Sequence, residues 1–145
     1  EVFERAPAGE LQAQFPAYEL SITDHSLRGS AAALMTAVLL PSSGGGGAAA
    51  AAGNGTMTTN TFGEQRTGNA AFALGFSEAA ARHDAAHFRV DHYHDIIPHY
   101  LFREMPGDGS GACKYHHLAP EIWLSENSTT DTRCDSGEDR SCLDG

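Results

Sequence analysis

The segment from Tyr18 to Leu40 decides the fold and reads YELSITDHSLRGSAAALMTAVLL. Its first half alternates apolar and polar residues, with Tyr18, Leu20 and Ile22 on one side. That period is typical of a strand with one buried face. Its second half, Ser30 to Leu40, is rich in alanine, leucine and methionine and contains neither glycine nor proline, which favours a helix of about three turns. The segment therefore predicts a strand that turns directly into a helix.

Ser26 lies at this turn, between His25 and Leu27. A serine at a sharp strand-to-helix turn is the layout of a nucleophile elbow, which holds the hydroxyl out at the top of a sheet. The helix that follows offers free backbone N–H groups and the positive end of its dipole to a developing oxyanion. A serine in this position is also a common helix N-cap. The pattern G-x-S-x-G is imperfect here, because Asp24 and Arg28 replace its two glycines.

The size and charge of the chain exclude several classes of function. It has 145 residues, enough for one domain over residues 1–145. Its 19 acidic and 9 basic residues give a net charge of −10. Such a charge argues against a nucleic-acid partner, which requires a basic face, and against electrostatic attachment to anionic lipid. No run of 18 apolar residues is present, so we expect no transmembrane segment.

The cysteines and sequons indicate an extracellular protein. Cys134 and Cys142 lie close together in a polar segment, which suggests a local disulfide and an oxidising compartment. Cys113 would then be the unpaired thiol. N-glycosylation sequons begin at Asn54 and Asn127, although such triplets are common by chance.

The rest of the chain continues the alternation of strands and helices. We predict a low-complexity Gly/Ala loop over 41–55, a strand over 56–62, a helix over 69–82 with Asn69 as its N-cap, a strand over 87–90, and a polar tail over 126–145. Strand, helix, strand, helix, strand is the order of a parallel sheet with right-handed crossovers.

Asp95 is the residue that this topology brings toward Ser26. Ligands of such sheets bind beyond the carboxyl ends of the strands, and Asp95 follows the last predicted strand at the same edge as Ser26. In a Ser–acid–His triad of this topology the acid follows the serine in the chain, which suits Asp95. The alternative is that Asp95 caps a turn before Pro98.

Several histidines allow one further interpretation. A His-x-His pair at a strand end, His92 and His94, places both rings on one face, and His99, His116 and His117 follow. These rings could ligate a metal such as Zn²⁺. We expect no metal site, because the motifs below already account for His92 and His117.

Four motifs, in order over roughly residues 10–125, match those of a known family. The family elbow G-H-S-L-G-G corresponds to DHSLRG at 24–29, and Y-T-F-G-x-P-R-V-G-N-x-x-F-A to NTFGEQRTGNAAFA at 60–73. Y-R-V-T-H-x-N-D-I-V-P corresponds to FRVDHYHDIIP at 88–98, and G-Y-x-H-x-x-P-E-Y-W to KYHHLAPEIW at 114–123. With these motifs the chain resembles the fungal class 3 lipases and the related feruloyl esterases.

The resemblance implies a partial α/β-hydrolase fold, with a mainly parallel sheet, flanking helices and a disulfide loop from Cys134 to Cys142. It implies a secreted serine ester hydrolase that needs no cofactor and acts on an ester or lipid substrate. Ser26 would be the nucleophile, Asp95 the acid, and the backbone N–H of Leu27 one oxyanion donor. The family's catalytic histidine is expected beyond the C-terminus of this chain, since no histidine present matches its motif.

Two alternatives accompany this expectation. The chain could be an inactive relative that keeps only the fold, because Asp24 and Arg28 stand in place of the elbow glycines. These two residues are four apart and of opposite charge, which would allow an ion pair across the turn. The second alternative is a feruloyl esterase, which acts on aromatic acyl groups where a lipase acts on acylglycerols. The sequence leaves the oligomeric state open.

Overall fold

A computed structural model of the chain describes residues 14–15, 17–40, 56–101 and 115–143. The predicted loop over 41–55 with its sequon at Asn54, and Cys113, which was predicted to be unpaired, lie outside these residues. The order of the elements is β1 (Leu20–His25), α1 (Leu27–Leu39), β2 (Met57–Phe62), α2 (Ala70–Arg82), β3 (Ala85–His92), β4 (Glu121–Leu124), β5 (Asp131–Cys134) and α3 (Arg140–Leu143).

The five strands form one sheet in the order β1-β2-β3-β4-β5. The first four are parallel to their neighbours and β5 is antiparallel to β4. The sheet is therefore mainly parallel, with flanking helices, as expected. The polar tail contributes β5 and α3, neither of which the residue pattern predicted.

The first strand begins later than the alternation suggested. Leu20, Ile22 and Asp24 are its partly buried residues, whereas Tyr18 precedes the strand and is 70% exposed. The prediction of Tyr18 on the buried face was wrong, because the sheet pairing of β1 begins at Leu20, which faces Met57 of β2.

Both long helices pack on one face of the sheet and against each other. Ala33 of α1 and Phe76 of α2 share an apolar cluster with Leu118. A second cluster joins Leu39 and Leu40 to β2 and α2, through Met57 and Ala80. The core is small, and much of the buried surface of the central strands is polar.

That polar core follows from the strand register. Thr59 of β2 pairs with His87 of β3, and both point toward the helices. Thr59 shares a hydrogen bond of 2.7 Å with Thr36 of α1, while the His87 ring meets the edge of Phe76 with centroids 5.1 Å apart. Within the described ranges, no helix is long and apolar enough to cross a membrane.

Candidate active site

Three loops meet at the carboxyl edge of the parallel strands. His25 pairs with Phe62, and Phe62 pairs with Val90, so β1, β2 and β3 end at similar heights. Ser26 follows β1 directly and Gly63 follows β2. The loop after β3 carries Asp95. The sheet thus brings the predicted serine and acid to one edge, as the topology rule required.

The backbone of Ser26 has an unusual conformation for a residue with a side chain. Its φ is 58° and its ψ is −132°, a sparsely populated region for any residue other than glycine. Its N–H donates to the carbonyl of Phe62 at 2.8 Å, and its own carbonyl accepts from Gly29 N–H at 2.9 Å. These two bonds hold the chain in the sharp turn that an elbow requires.

The N-cap interpretation of Ser26 receives no support. Ser26 immediately precedes α1, but its hydroxyl makes no capping hydrogen bond with the described part of the helix. Asn69, in the same position before α2, has an extended backbone, and its side chain accepts from Phe72 N–H at 2.9 Å. Asn69 is therefore the N-cap that was predicted, whereas the Ser26 hydroxyl is not used for capping.

Gly29 explains how the elbow packs although two family glycines are replaced. A Cβ on Gly29 would lie 3.3 Å from Glu64 Cβ and 3.4 Å from Thr61 Cβ, so the helix approaches the end of β2 closely at this point. Asp24 instead accepts a hydrogen bond from His25 N–H at 2.9 Å. Within the described residues, no ion pair joins Asp24 to Arg28, which is exposed.

Leu27 is the first residue of α1. The first N–H groups of a helix have no acceptor within the helix, so the Leu27 N–H is available where an oxyanion beside Ser26 would form. The Leu27 side chain is exposed.

Asp95 fills the turn-capping role with one of its two carboxylate oxygens. Its Oδ1 accepts a hydrogen bond from Ile97 N–H at 2.9 Å, which is the turn-capping role. Its Oδ2 points elsewhere and lies 3.0 Å from the position that a Cβ on Gly63 would take. The same position is 3.7 Å from His25 Nε2. The Asp95 carboxylate therefore faces the loops that follow β1 and β2.

The described histidines have other surroundings. His92 Nε2 lies 3.1 Å from the carbonyl of Glu126, and the ring of His94 lies against that of Tyr93, with centroids 3.9 Å apart and planes tilted by 54°. His117 is buried, and burial, reinforced by the Arg89 charge, lowers the pKa of its imidazole far below the usual range. No histidine in the described ranges donates a hydrogen bond to Asp95.

The alternative of a metal site has no support in the arrangement of these rings. Across residues 14–15, 17–40, 56–101 and 115–143, no group of three or more His, Cys, Asp or Glu side chains is arranged to hold a metal ion. Tyr93, between His92 and His94, has a φ of 43°, so the alternation that would put both rings on one face does not continue past the strand.

A buried polar network underlies the site, and the residue pattern did not predict it. Glu64 is completely buried and accepts hydrogen bonds from Thr61 Oγ1 at 2.6 Å and Thr67 Oγ1 at 3.1 Å. Its Oε2 also lies 3.3 Å from His87 Nε2. Glu64 thereby connects the end of β2 with the loop before α2 and with β3.

Arg89 is the other unexpected element, because it is a fully buried charge in the central strand β3. It donates to the carboxylates of Asp91 and Glu121. Burial raises the pKa of Asp91 to about 7, with further increases from Glu121 and Glu64, whereas Arg89 acts to lower it. Arg89 and Glu121 coincide with family motif residues, but Asp91 stands where the motif has threonine. That difference was the one sequence feature that could have pointed to the buried cluster of Arg89, Asp91 and Glu121.

Arg66 connects the site to the C-terminal loop. Its guanidinium donates to both oxygens of Glu138 at 3.0 and 3.2 Å and to the carbonyl of Leu101 at 2.9 Å. Glu138 lies in the loop that the Cys134–Cys142 disulfide closes, with an S–S distance of 2.04 Å. The structure thus contains the expected disulfide.

The chain is similar to known lipases in both sequence and structure. The family model for class 3 lipases, "Lipase (class 3)", matches residues 6–105. Lipase II from Rhizopus niveus is similar in structure with a TM-score of 0.71 at 24% identity, and 93% of this chain covers 44% of that chain. A lipase from Rhizopus microsporus var. chinensis has a TM-score of 0.66 at 25% identity, with 93% and 41% covered.

The triacylglyceride lipase of Rhizomucor miehei has a TM-score of 0.67 at 25% identity, over 94% of this chain and 45% of that one. The chain therefore spans less than half the length of these lipases. The match to the family model extends over most of the chain and includes both Ser26 and Asp95. The chain belongs to the class 3 lipase family.

Proposed function

We propose that this chain forms part of a secreted serine ester hydrolase that acts on lipid esters of the acylglycerol class. Ser26 is the nucleophile, Asp95 orients the general base, and the N–H of Leu27 stabilises the oxyanion. The observation that carries the proposal is the strained backbone of Ser26, whose hydroxyl makes no capping bond within the described helix, at the sheet edge that Asp95 also reaches.

The proposed reaction is acyl transfer through a covalent intermediate. The Ser26 hydroxyl loses its proton to the base and attacks the ester carbonyl, and collapse of the tetrahedral intermediate releases the alcohol, which takes that proton. Water then cleaves the acyl-enzyme. The base is proposed to be a histidine beyond Gly145, because the family order is serine, acid, histidine and none of the histidines after Asp95 matches the motif of the family's catalytic histidine.

The lipid substrate is supported by the family membership and by the similarity to the triacylglyceride lipase of Rhizomucor miehei. Secretion is supported by the Cys134–Cys142 disulfide, since such bonds persist in oxidising compartments.

An inactive relative is the second candidate. Asp24 and Arg28, which replace the elbow glycines, favour it. However, the backbone of Ser26 retains the turn and Gly29 retains the close contact with Glu64, so the replacements do not remove the elbow.

The test is hydrolysis of p-nitrophenyl butyrate and palmitate, and of a feruloyl ester, by the protein expressed from its complete reading frame. We expect hydrolysis of the aliphatic esters, with losses of about 10⁴-fold in both Ser26→Ala and Asp95→Asn. Ser21→Ala is the matched control, because Ser21 is an exposed serine on β1. Full activity in Ser26→Ala would refute the assignment, and preference for the feruloyl ester would refute the acylglycerol class.

A further inference from the structure

We propose that Trp123 is a positioning residue for Asp95, and that it acts by donating its indole N–H to the backbone turn from which Asp95 projects. This inference rests on the proposed function for the part that concerns catalysis. The contact itself stands on geometry alone.

The strands β3 and β4 end together, and this brings Trp123 to the turn. Asp91 pairs with Trp123 and His92 with Leu124, so the chain leaves the sheet at Tyr93 beside the end of β4. The N–H of Tyr93 donates to the carbonyl of Leu124 at 2.7 Å. Tyr93 is thus the last residue that the backbone of β4 holds.

After Tyr93 the chain turns sharply, and the carbonyl of Tyr93 is bound by a side chain and not by the backbone of a neighbouring strand. Tyr93 has a φ of 43°, a left-handed conformation that costs free energy for a residue with a Cβ. The indole Nε1–H of Trp123 donates to the carbonyl of Tyr93 at 3.2 Å, and the two rings lie 6.5 Å apart. The N–H of Tyr93 is therefore fixed by the backbone of β4, and its carbonyl is fixed by the Trp123 indole.

This anchored turn sets the position of the carboxylate. The N–H of Asp95 donates to the carbonyl of His92 at 2.9 Å, one residue before Tyr93. Asp95 Oδ1 accepts from Ile97 N–H at 2.9 Å, which leaves Oδ2 directed at Gly63. If the carbonyl of Tyr93 were released, the peptide between Tyr93 and His94 could rotate, and Asp95 would lose its fixed approach to the site.

No other described side chain performs this function. Among the described residues, the carbonyl of Tyr93 accepts a side-chain hydrogen bond from Trp123 only, and the imidazole of His92 is bound to the carbonyl of Glu126. A tryptophan is suited to this role because it combines a flat apolar body with a single donor.

The experiment exploits the fact that Trp123 is the sole tryptophan in the 145 residues. Global replacement in a tryptophan-auxotrophic host therefore changes one position of this chain. Benzothienylalanine keeps the shape of the side chain and removes the N–H. 7-Azatryptophan keeps both the shape and the N–H, and is the matched control.

Amide hydrogen exchange is measured by NMR in the three forms of the chain. The Ile97 amide reports whether the Asp95 carboxylate remains in place, and the Ser26 amide, bound to Phe62, is the internal reference. With benzothienylalanine we expect exchange at Ile97 to accelerate about fivefold or more, the factor for one net hydrogen bond of about 1 kcal/mol, with no change at Ser26. With 7-azatryptophan we expect no change at either amide.

Equal exchange at Ile97 in all three forms overturns the proposal, and so does an equal acceleration at Ile97 and Ser26. Ester hydrolysis tests the catalytic part in the protein from the complete reading frame, with the same two analogues placed at position 123. We expect a lower kcat with unchanged KM for the form with benzothienylalanine only, and an unchanged kcat there overturns the positioning role. Absence of ester hydrolysis by the unsubstituted protein from the complete reading frame refutes the proposed function and leaves the exchange result to decide on the contact.

Discussion

Gly63 and Asp95 lie so close that a Cβ at Gly63 would crowd the Asp95 carboxylate at the end of β2. A Cβ at Gly63 would come within 3.0 Å of Asp95 Oδ2, and the φ of Gly63 is +56°. Both the space and the backbone conformation therefore favour glycine at this position. The contact is the most direct physical evidence that the acid is held at the edge where Ser26 turns.

Gly63→Ala is predicted to displace the Asp95 carboxylate and to destabilise the fold by about 1–2 kcal/mol, because alanine is strained at positive φ. The measurements are the free energy of unfolding in urea and the rate of ester hydrolysis, which should fall with Asp95 displaced. Gly75→Ala is the matched control, since a Cβ at Gly75 meets nothing within 4 Å. In the interior of α2 that change should stabilise the protein by about 0.5–1 kcal/mol. Equal effects of the two substitutions would contradict this interpretation.

Asn69→Ala is predicted to lower stability and not hydrolysis, whereas Ser26→Ala is predicted to lower hydrolysis and not stability. Asn69 caps α2 through Phe72 N–H, so its loss should cost about 1 kcal/mol of stability and leave hydrolysis intact. Ser26 caps nothing within the described helix, so its replacement should change stability by less than about 0.5 kcal/mol while hydrolysis is lost. Thermal or urea unfolding of both variants checks this, and a large loss of stability in Ser26→Ala would show that the serine is structural.

Asp91 predicts a pH dependence of stability. Its pKa in the folded protein is about 7, because burial disfavours the carboxylate, whereas an unfolded aspartate releases its proton near pH 4. Between these values unfolding releases a proton, so the free energy of unfolding falls as the pH rises from about 4 to about 7. Three pKa units correspond to a loss of roughly 4 kcal/mol.

Urea unfolding at pH 5 and pH 8 measures this decline in the wild type and in Asp91→Asn. The variant cannot ionise at this position, so its decline should be smaller by a large part of that amount. Asp91→Thr, which restores the residue of the family motif, should behave in the same way. Identical pH profiles for the wild type and Asp91→Asn would contradict the raised pKa.

The ion pair of Arg66 with Glu138 is predicted to stabilise the C-terminal loop. Both side chains are about nine-tenths buried, so Glu138→Gln leaves the Arg66 charge partly uncompensated and should cost about 3 kcal/mol. Asp135→Asn is the control in the same loop, because Asp135 pairs with Arg133 at the surface and should contribute less than about 1 kcal/mol. Urea unfolding compares the two, and similar costs would contradict the importance of burial.

Strong local signals made the central elements predictable from sequence. Alternation of apolar and polar residues predicted β1, and alanine content predicted α1. Threonine content predicted β2, and an asparagine before a helical run predicted the N-cap at Asn69. Asp95 was expected at the edge of Ser26 because successive parallel strands end at the same edge. These inferences depend on short-range patterns and one topological rule.

The remaining features depend on contacts between distant segments. The strand β3 extends two residues beyond the predicted 87–90 at each end, because its neighbours supply pairing partners there. β4 and β5 are four residues each and have no periodicity of their own. The burial of Arg89 was not visible in the sequence, since a charged residue is expected at a surface unless its partners, here Asp91 and Glu121, are known.

The measurement that tests the central claim most directly is the site of covalent labelling by a fluorophosphonate probe, which reacts with activated serines. The protein from the complete reading frame is labelled, digested with trypsin, and mapped by mass spectrometry. We expect an adduct on Ser26, in the peptide from Ala6 to Arg28 that also contains Ser21, and its loss in Asp95→Asn. Labelling of another serine, or no adduct on Ser26 in the folded protein, would contradict it.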